Sequence, residues 1–135
     1  MEKESTVILV VAAAMLDGAG RLLLQQRPAG KRHGGMWEFP GGKVEDNENP
    51  RFSLVREIEE ELAVRLNAEL LKPAGFAEEP RENGHPAIVM LLYTASVWRG
   101  EIEPLEAQRW GWFAPQQAAA LDLPPMDRAL LDRFL

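Results

Sequence analysis

A chain of 135 residues closes one sizeable core, so residues 1–135 are read as a single domain. Its net charge of −6, with no Lys/Arg block beyond Lys31–Arg32, argues against polymeric nucleic acid, whose binding rests on neutralising many phosphates. With no cysteine, disulfides and thiolate metal sites are excluded, and a reducing, cytoplasmic setting suits the composition. Small phosphorylated ligands remain compatible, because a bound cation neutralises them.

Val7 to Leu16 is an apolar run of ten residues. Its flank holds Glu2, Lys3 and Glu4 and lacks the positive charge of an export signal. A helix crossing a bilayer needs about 20 apolar residues, so no membrane partner is expected. Asp17-Gly18 ends the run as a turn does, which makes Thr6–Leu16 a buried strand and Arg21–Gln26 the next one. Arg27 to Gly35 is polar and glycine-rich and reads as a loop. Trp37–Phe39 is a short strand that Pro40-Gly41-Gly42 should break.

Asn49 and Pro50 then read as cap and first position of a helix whose apolar stripe is Leu54, Ile58 and Leu62. Strands are expected at Leu70–Ala77, Ala87–Trp98 and Arg109–Phe113. Two helices follow, Pro115–Ala120 and Met126–Phe134, separated by Leu123-Pro124-Pro125. Strands, a helix, more strands and terminal helices predict an α/β fold, a mixed β-sheet covered by helices in an α/β/α sandwich. Trp110 and Trp112 are expected to be structural, and His85 a solvated loop residue.

Glu57, Glu60 and Glu61 stand at i, i+3 and i+4 of the helix and share one face, where like charges repel. A hard divalent cation resolves that repulsion, because it takes oxygen ligands and leaves room for water and phosphate. Taken alone, such a face is more often merely solvated. The surrounding residues change that reading. After Gly42, five residues lead to Glu48 and seven more lead to Arg56-Glu57, followed by Ile58, Glu60-Glu61 and the apolar Val64. Six such identities at fixed spacing would coincide by chance roughly once in ten million windows.

This pattern resembles the signature box of the Nudix hydrolases. The resemblance implies that Glu57, Glu60 and Glu61, with the backbone carbonyl of Gly41, hold Mg²⁺, with Mn²⁺ as the alternative. Arg56 would orient Glu57 by a charge-assisted hydrogen bond, and Glu48 would be a more distant carboxylate near the metals. The chemistry implied is attack of water on phosphorus, with a loop glutamate as general base: Glu106 by its spacing from Gly100-Glu101, with Glu103 as runner-up. Two positions depart from the family pattern, Ala63 and Asn47, each standing where glycine is usual. A changed helix exit is expected at Ala63, while asparagine tolerates the left-handed region.

Trp37-Glu38-Phe39-Pro40-Gly41-Gly42-Lys43 resembles the MutT-type nucleoside triphosphate pyrophosphatases, as do Arg27 and the Leu123–Asp127 segment. On this likeness Arg27, Phe39, Lys43 and Asp127 bind a nucleoside triphosphate, and no obligate protein partner is evident. Phe39 is either a stacking platform for the base or a core residue. The leading reading is an 8-oxo-dGTP diphosphatase. The MutT prototype has asparagine where this chain has Asp127, and MutT-like enzymes acting on CTP and 5-methyl-dCTP carry aspartate there. An ionised aspartate accepts only, which suits cytosine N4, whereas one kept protonated by burial can donate to oxoguanine. A non-catalytic nucleotide-recognition module is the reading from another class, and dinucleotide substrates such as ADP-ribose rank low.

Overall fold

The apolar run becomes β1 (Val7–Met15), and its place in the molecule explains why no residue of it is polar. In the computed structural model, which describes residues 6–106 and 109–135, β1 pairs in parallel with β7 (Ala87–Ala95), from Val7 opposite Ala87 to Met15 opposite Ala95. On its other side it pairs antiparallel with β4 (Gly41–Lys43). A further antiparallel partner, β6 (Lys72–Glu79), lies beyond β7, giving the mixed order β4-β1-β7-β6. Alternate residues of β1 serve two cores. Val11, Ala13 and Met15 pack with Leu54, Ile58 and Leu62 of α1 (Pro50–Leu62). Ala12 and Ala14 pack with Met126, Leu130 and Leu131 of α3 (Pro125–Leu131). A strand buried on both faces reads as one continuous apolar stretch.

A second, antiparallel sheet has β2 (Leu22–Gln26) between β3 (Trp37–Glu38) and β9 (Arg109–Phe113). The sandwich therefore holds two main sheets where one was expected, plus a two-residue pairing of β5 (Arg65–Leu66) with β8 (Trp98–Arg99). α2 (Pro115–Ala119) links β9 to α3. The flank at Glu2–Glu4 and the pair Ala107-Gln108 lie outside the described residues.

Several boundaries differ from expectation for local reasons. β3 ends at Glu38, one residue short of expectation, and after Pro40 the chain resumes at Gly41 and Gly42 as β4 instead of forming a turn. Glycine is needed there by proximity: a Cβ on Gly41 would stand 2.0 Å from the Val11 carbonyl oxygen of β1. The strand expected at Leu70–Ala77 begins two residues later, because Asn67 caps a single 3₁₀ turn at Ala68–Leu70. The long strand expected to reach Trp98 stops at Ala95, and Trp98 turns to pair with Leu66 and stack on Trp112 at 6.1 Å. The last helix starts one residue earlier, at Pro125, and passes into a 3₁₀ turn at Asp132.

The helix α1 begins as its cap predicts, with the Asn49 side chain accepting from the Arg51 N–H at 2.9 Å. Leu54, Ile58 and Leu62 are fully buried, each contributing about 1.5–3 kcal/mol relative to exposure. The exit did not change in kind. Ala63 adopts the left-handed conformation (φ 61°) that glycine takes more readily, and its N–H donates to the Glu59 carbonyl. Asn47 is likewise left-handed, at φ 66°. Replacing Ala63→Gly is expected to stabilise the fold by about 1 kcal/mol, the order a Cβ costs in that region. A denaturant midpoint that does not move, at unchanged slope, would refute the strain at this position.

Candidate active site

A cavity of about 620 Å³ opens between the two main sheets, within the size range of small-molecule sites. Its apolar lining includes Val10, Ala12, Ile88 and Met90, which carry the α3-side core into the cavity wall. Glu61 of α1 reaches it from one face of β1, and Asp127 of α3 from the other.

On the α1 side, carboxylates crowd together. A Cβ on Gly42 would lie 2.2 Å from the Glu57 carboxyl carbon, so only glycine lets Glu57 rest against β4. Glu61 is one helical turn further on and accepts from the Gln25 amide of β2. Burial, followed by the facing Glu57 and Glu38, pushes Glu61 up to about 8 although the Gln25 bond opposes this. A group so placed holds a proton at neutral pH unless a cation offsets its neighbours. Gly41 adds a further oxygen. Ala13 bonds the Pro40 carbonyl and Val44 the Leu9 carbonyl, so bonding residues alternate along this antiparallel pair. Gly41 falls between them and turns its carbonyl to the free edge of the sheet. Carboxylate and carbonyl oxygens with no nitrogen or sulfur donor suit Mg²⁺ or Mn²⁺.

Arg56 ties the cluster together. Its guanidinium donates to both Glu48 oxygens at 2.8 and 3.0 Å, to Glu57 at 3.0 Å and to the Lys43 carbonyl at 3.2 Å. The expected bond from Arg56 to Glu57 is therefore present. Glu48 is occupied by Arg56, by the Ser53 hydroxyl and by the Glu45 N–H, and these bonds pull its pKa down to about 2. Its contacts are those of an anchor for Arg56. Glu60 stands apart, with its side chain 55% exposed and a long 3.4 Å contact to Arg56.

On the other side, Asp127 is 2% exposed and accepts the Phe39 N–H at 3.0 Å. Burial chiefly, and Glu38 in addition, raise it to about 7. This is not the solvated charge that an aspartate near a helix start usually is. Glu38, itself raised by burial, is paired to Arg27 at 2.9 Å. Arg27, Lys31, Arg32 and Lys43 add positive charge around the cavity.

Of the residues singled out in the sequence, Arg27, Phe39, Gly41, Lys43, Glu61, Glu106 and Asp127 line this cavity, and Glu57 abuts it beneath Gly42. Glu103 does not line it; its N–H donates to the Leu62 carbonyl at 2.8 Å. Phe39 is 3% exposed, packed in the α3-side core 6.5 Å from the Phe134 ring. It sits as a core residue in the cavity wall. Trp112 is structural as expected, whereas Trp110 is 38% exposed, and His85 is exposed in its loop.

Sequence reasoning passed over Gln25, Gln26, His33 and the role of Glu38. Among the described residues, the buried polar side-chain atoms without a partner are Gln25 Oε1, Gln26 Oε1 and His33 Nε2, and all three residues line the cavity. The available signal was two glutamines closing a leucine strand.

A family model described as the NUDIX domain matches residues 7–134. The chain is 35% identical over 128 residues to the CTP pyrophosphohydrolase of Escherichia coli strain K12, covering 95% of this chain and 92% of that protein. It is also 35% identical over 133 residues to the 8-oxo-dGTP diphosphatase of Haemophilus influenzae, covering 98% and 94%. A crystal structure of a MutT NUDIX hydrolase from Burkholderia pseudomallei matches with a TM-score of 0.82 and 28% identity, covering 97% of this chain and 100% of that one. Equal identity to relatives named for different bases leaves the base to be argued from the cavity itself.

Proposed function

Because the chain belongs to the Nudix family and is a MutT-type pyrophosphohydrolase acting on phosphorus-containing anhydrides, we propose that its substrate is 8-oxo-dGTP, cleaved to the monophosphate and pyrophosphate with Mg²⁺. The observation that carries this reading is Asp127, buried in the cavity wall with a pKa of about 7. A carboxyl group that keeps its proton near neutral pH can donate to a carbonyl of the oxidised purine, which an ionised one cannot. Binding a base over it removes more water and favours the proton further.

Glu57, Glu61 and the Gly41 carbonyl would hold the divalent cation, as Nudix hydrolases generally use one, with Glu60 joining them from the exposed side of α1. When bound, it neutralises phosphate charge and lowers the pKa of water. Arg56, clamped by Glu48, keeps Glu57 turned toward β4. Glu106 takes the proton of the attacking water as general base. Arg27 and Lys43 attract the phosphates, and Arg27 is meanwhile held by Glu38. Among the described residues no helix is long and apolar enough to cross a membrane.

Hydrolysis of CTP or 5-methyl-dCTP is the second reading. It is favoured by the E. coli relative named CTP pyrophosphohydrolase and by the acceptor character of Asp127 once ionised. A non-catalytic module is set aside, since relatives named as enzymes span nearly the whole chain. The deciding experiment is a panel of nucleoside triphosphates at neutral pH, with pyrophosphate detection. We expect kcat/KM for 8-oxo-dGTP to exceed those for CTP and 5-methyl-dCTP by about tenfold or more, the discrimination of one base hydrogen bond. A preference for the cytosine nucleotides would overturn this substrate in favour of the second.

A further inference from the structure

Gln25 is an unexpected residue for its position. It follows Leu22, Leu23 and Leu24 on β2 and, like them, is buried, at 5% exposed. Burying a primary amide is unfavourable unless both of its arms find partners. One arm has done so: Nε2 donates to Glu61 Oε1, and among the described residues it is the only protein donor reaching that carboxylate. The other arm has not, since Oε1 is buried with no donor. The cross-strand neighbours do not supply one. Glu38, directly opposite on β3, is taken up by Arg27, and Trp110 on β9 makes no bond to it.

While Glu61 is ionised, turning the amide the other way would set its carbonyl against a carboxylate oxygen. An ionised Glu61, the form that can hold a cation, therefore selects the observed orientation. That orientation leaves an acceptor at the cavity wall, beside the carboxylates. A water molecule whose lone pair is engaged by a cation has only hydrogens to offer, and an unpartnered carbonyl oxygen is their complement.

We propose that Gln25 is a positioning residue: its N–H holds Glu61 turned to the cavity, and its Oε1 accepts from a water molecule sharing that site. This rests on reading the α1 carboxylates as a divalent-cation site. It concerns Gln25 alone, which acts through Glu61. If Gln25 merely filled space, an apolar side chain of equal length would serve as well, and that difference is measurable.

The test replaces Gln25→Met, which keeps length and removes the amide. Mn²⁺ is titrated into nucleotide-free protein and followed by electron paramagnetic resonance, alongside kcat, KM and a thermal melt. The expected result is Mn²⁺ affinity and kcat each lower by about tenfold or more, the usual effect of losing a residue that orients a metal ligand. KM should stay within about twofold, because uniform substrate binding is untouched. The melting temperature should not fall. If the methionine variant does not fold, Gln25→Leu, matching the three residues before it, takes the same measurements. Wild-type Mn²⁺ affinity and kcat in a folded variant would overturn the inference and leave the metal site standing. A wild-type protein that binds no Mn²⁺ would overturn the metal site and the inference with it.

Discussion

Glu57→Gln is expected to lower kcat by about a thousandfold or more, the order lost when positioned charge is removed from a phosphoryl-transfer site. The substitution changes charge and almost nothing else. The side chain keeps its size, so the close fit against Gly42 survives, and the amide oxygen can still accept from Arg56. Leu54, Ile58 and Leu62 remain buried on the neighbouring face of α1. Removing one of several crowded anions also relieves repulsion with Glu61, so the melting temperature without metal should hold or rise. Loss of activity with equal or greater stability is the signature of a functional charge. A folded variant that retains full Mg²⁺-dependent turnover would remove Glu57 from the proposed cation site.

The second large effect is at Asp127. Its carboxyl group, pushed to about 7 chiefly by burial, changes from donor to acceptor across the range in which the assay is run. The ratio of kcat/KM for 8-oxo-dGTP over CTP should therefore fall as pH rises through about 7, by about 10–100-fold for one base contact. Groups that serve both substrates equally, Glu61 among them, cancel in that ratio. Asp127→Asn, which donates and accepts at every pH, should flatten the dependence and favour the oxidised purine throughout. A ratio that is flat in the wild type would show that Asp127 does not read the base.

Stability provides an independent check on the same residue. The folded state holds a proton on Asp127 up to about 7, whereas the unfolded chain releases it near 3.8. Between those values the folded state binds more protons, so this group's contribution declines as pH rises through that window. Above about pH 7 the buried carboxylate is charged and the loss is complete. Asp127→Asn cannot ionise and still accepts the Phe39 N–H, so it should raise the melting temperature more at pH 8 than at pH 5. An equal change at both pH values would contradict the raised pKa.

How far each feature could be read from sequence depends on how local its physics is. The apolar run at Val7, the Asn49 cap, the stripe of Leu54, Ile58 and Leu62 and the spacing of the helix carboxylates involve residues within a few turns. Periodicity and capping chemistry expose such features directly, and the resemblance of the carboxylate pattern to the Nudix box adds the family and the reaction type. The strand at Gly41–Lys43 was hidden because glycine signals a turn by propensity, while here it answers to the approach of β1. Phe39 could not be assigned to core or ligand until α3 was seen to cover it.

The sequence by itself determined that Glu57, Glu60 and Glu61 stand on one side of a helix at the spacing of the Nudix box. Only the tertiary structure decided that Gln25 meets Glu61 across 36 residues, and that the Phe39 N–H meets Asp127 across 88. Burial and the proximity of like charges set the protonation of these groups, and neither is a property of neighbouring residues in the chain. They arise when α1 and α3 close on opposite faces of β1, which is why the reaction is legible from the sequence and the base is not.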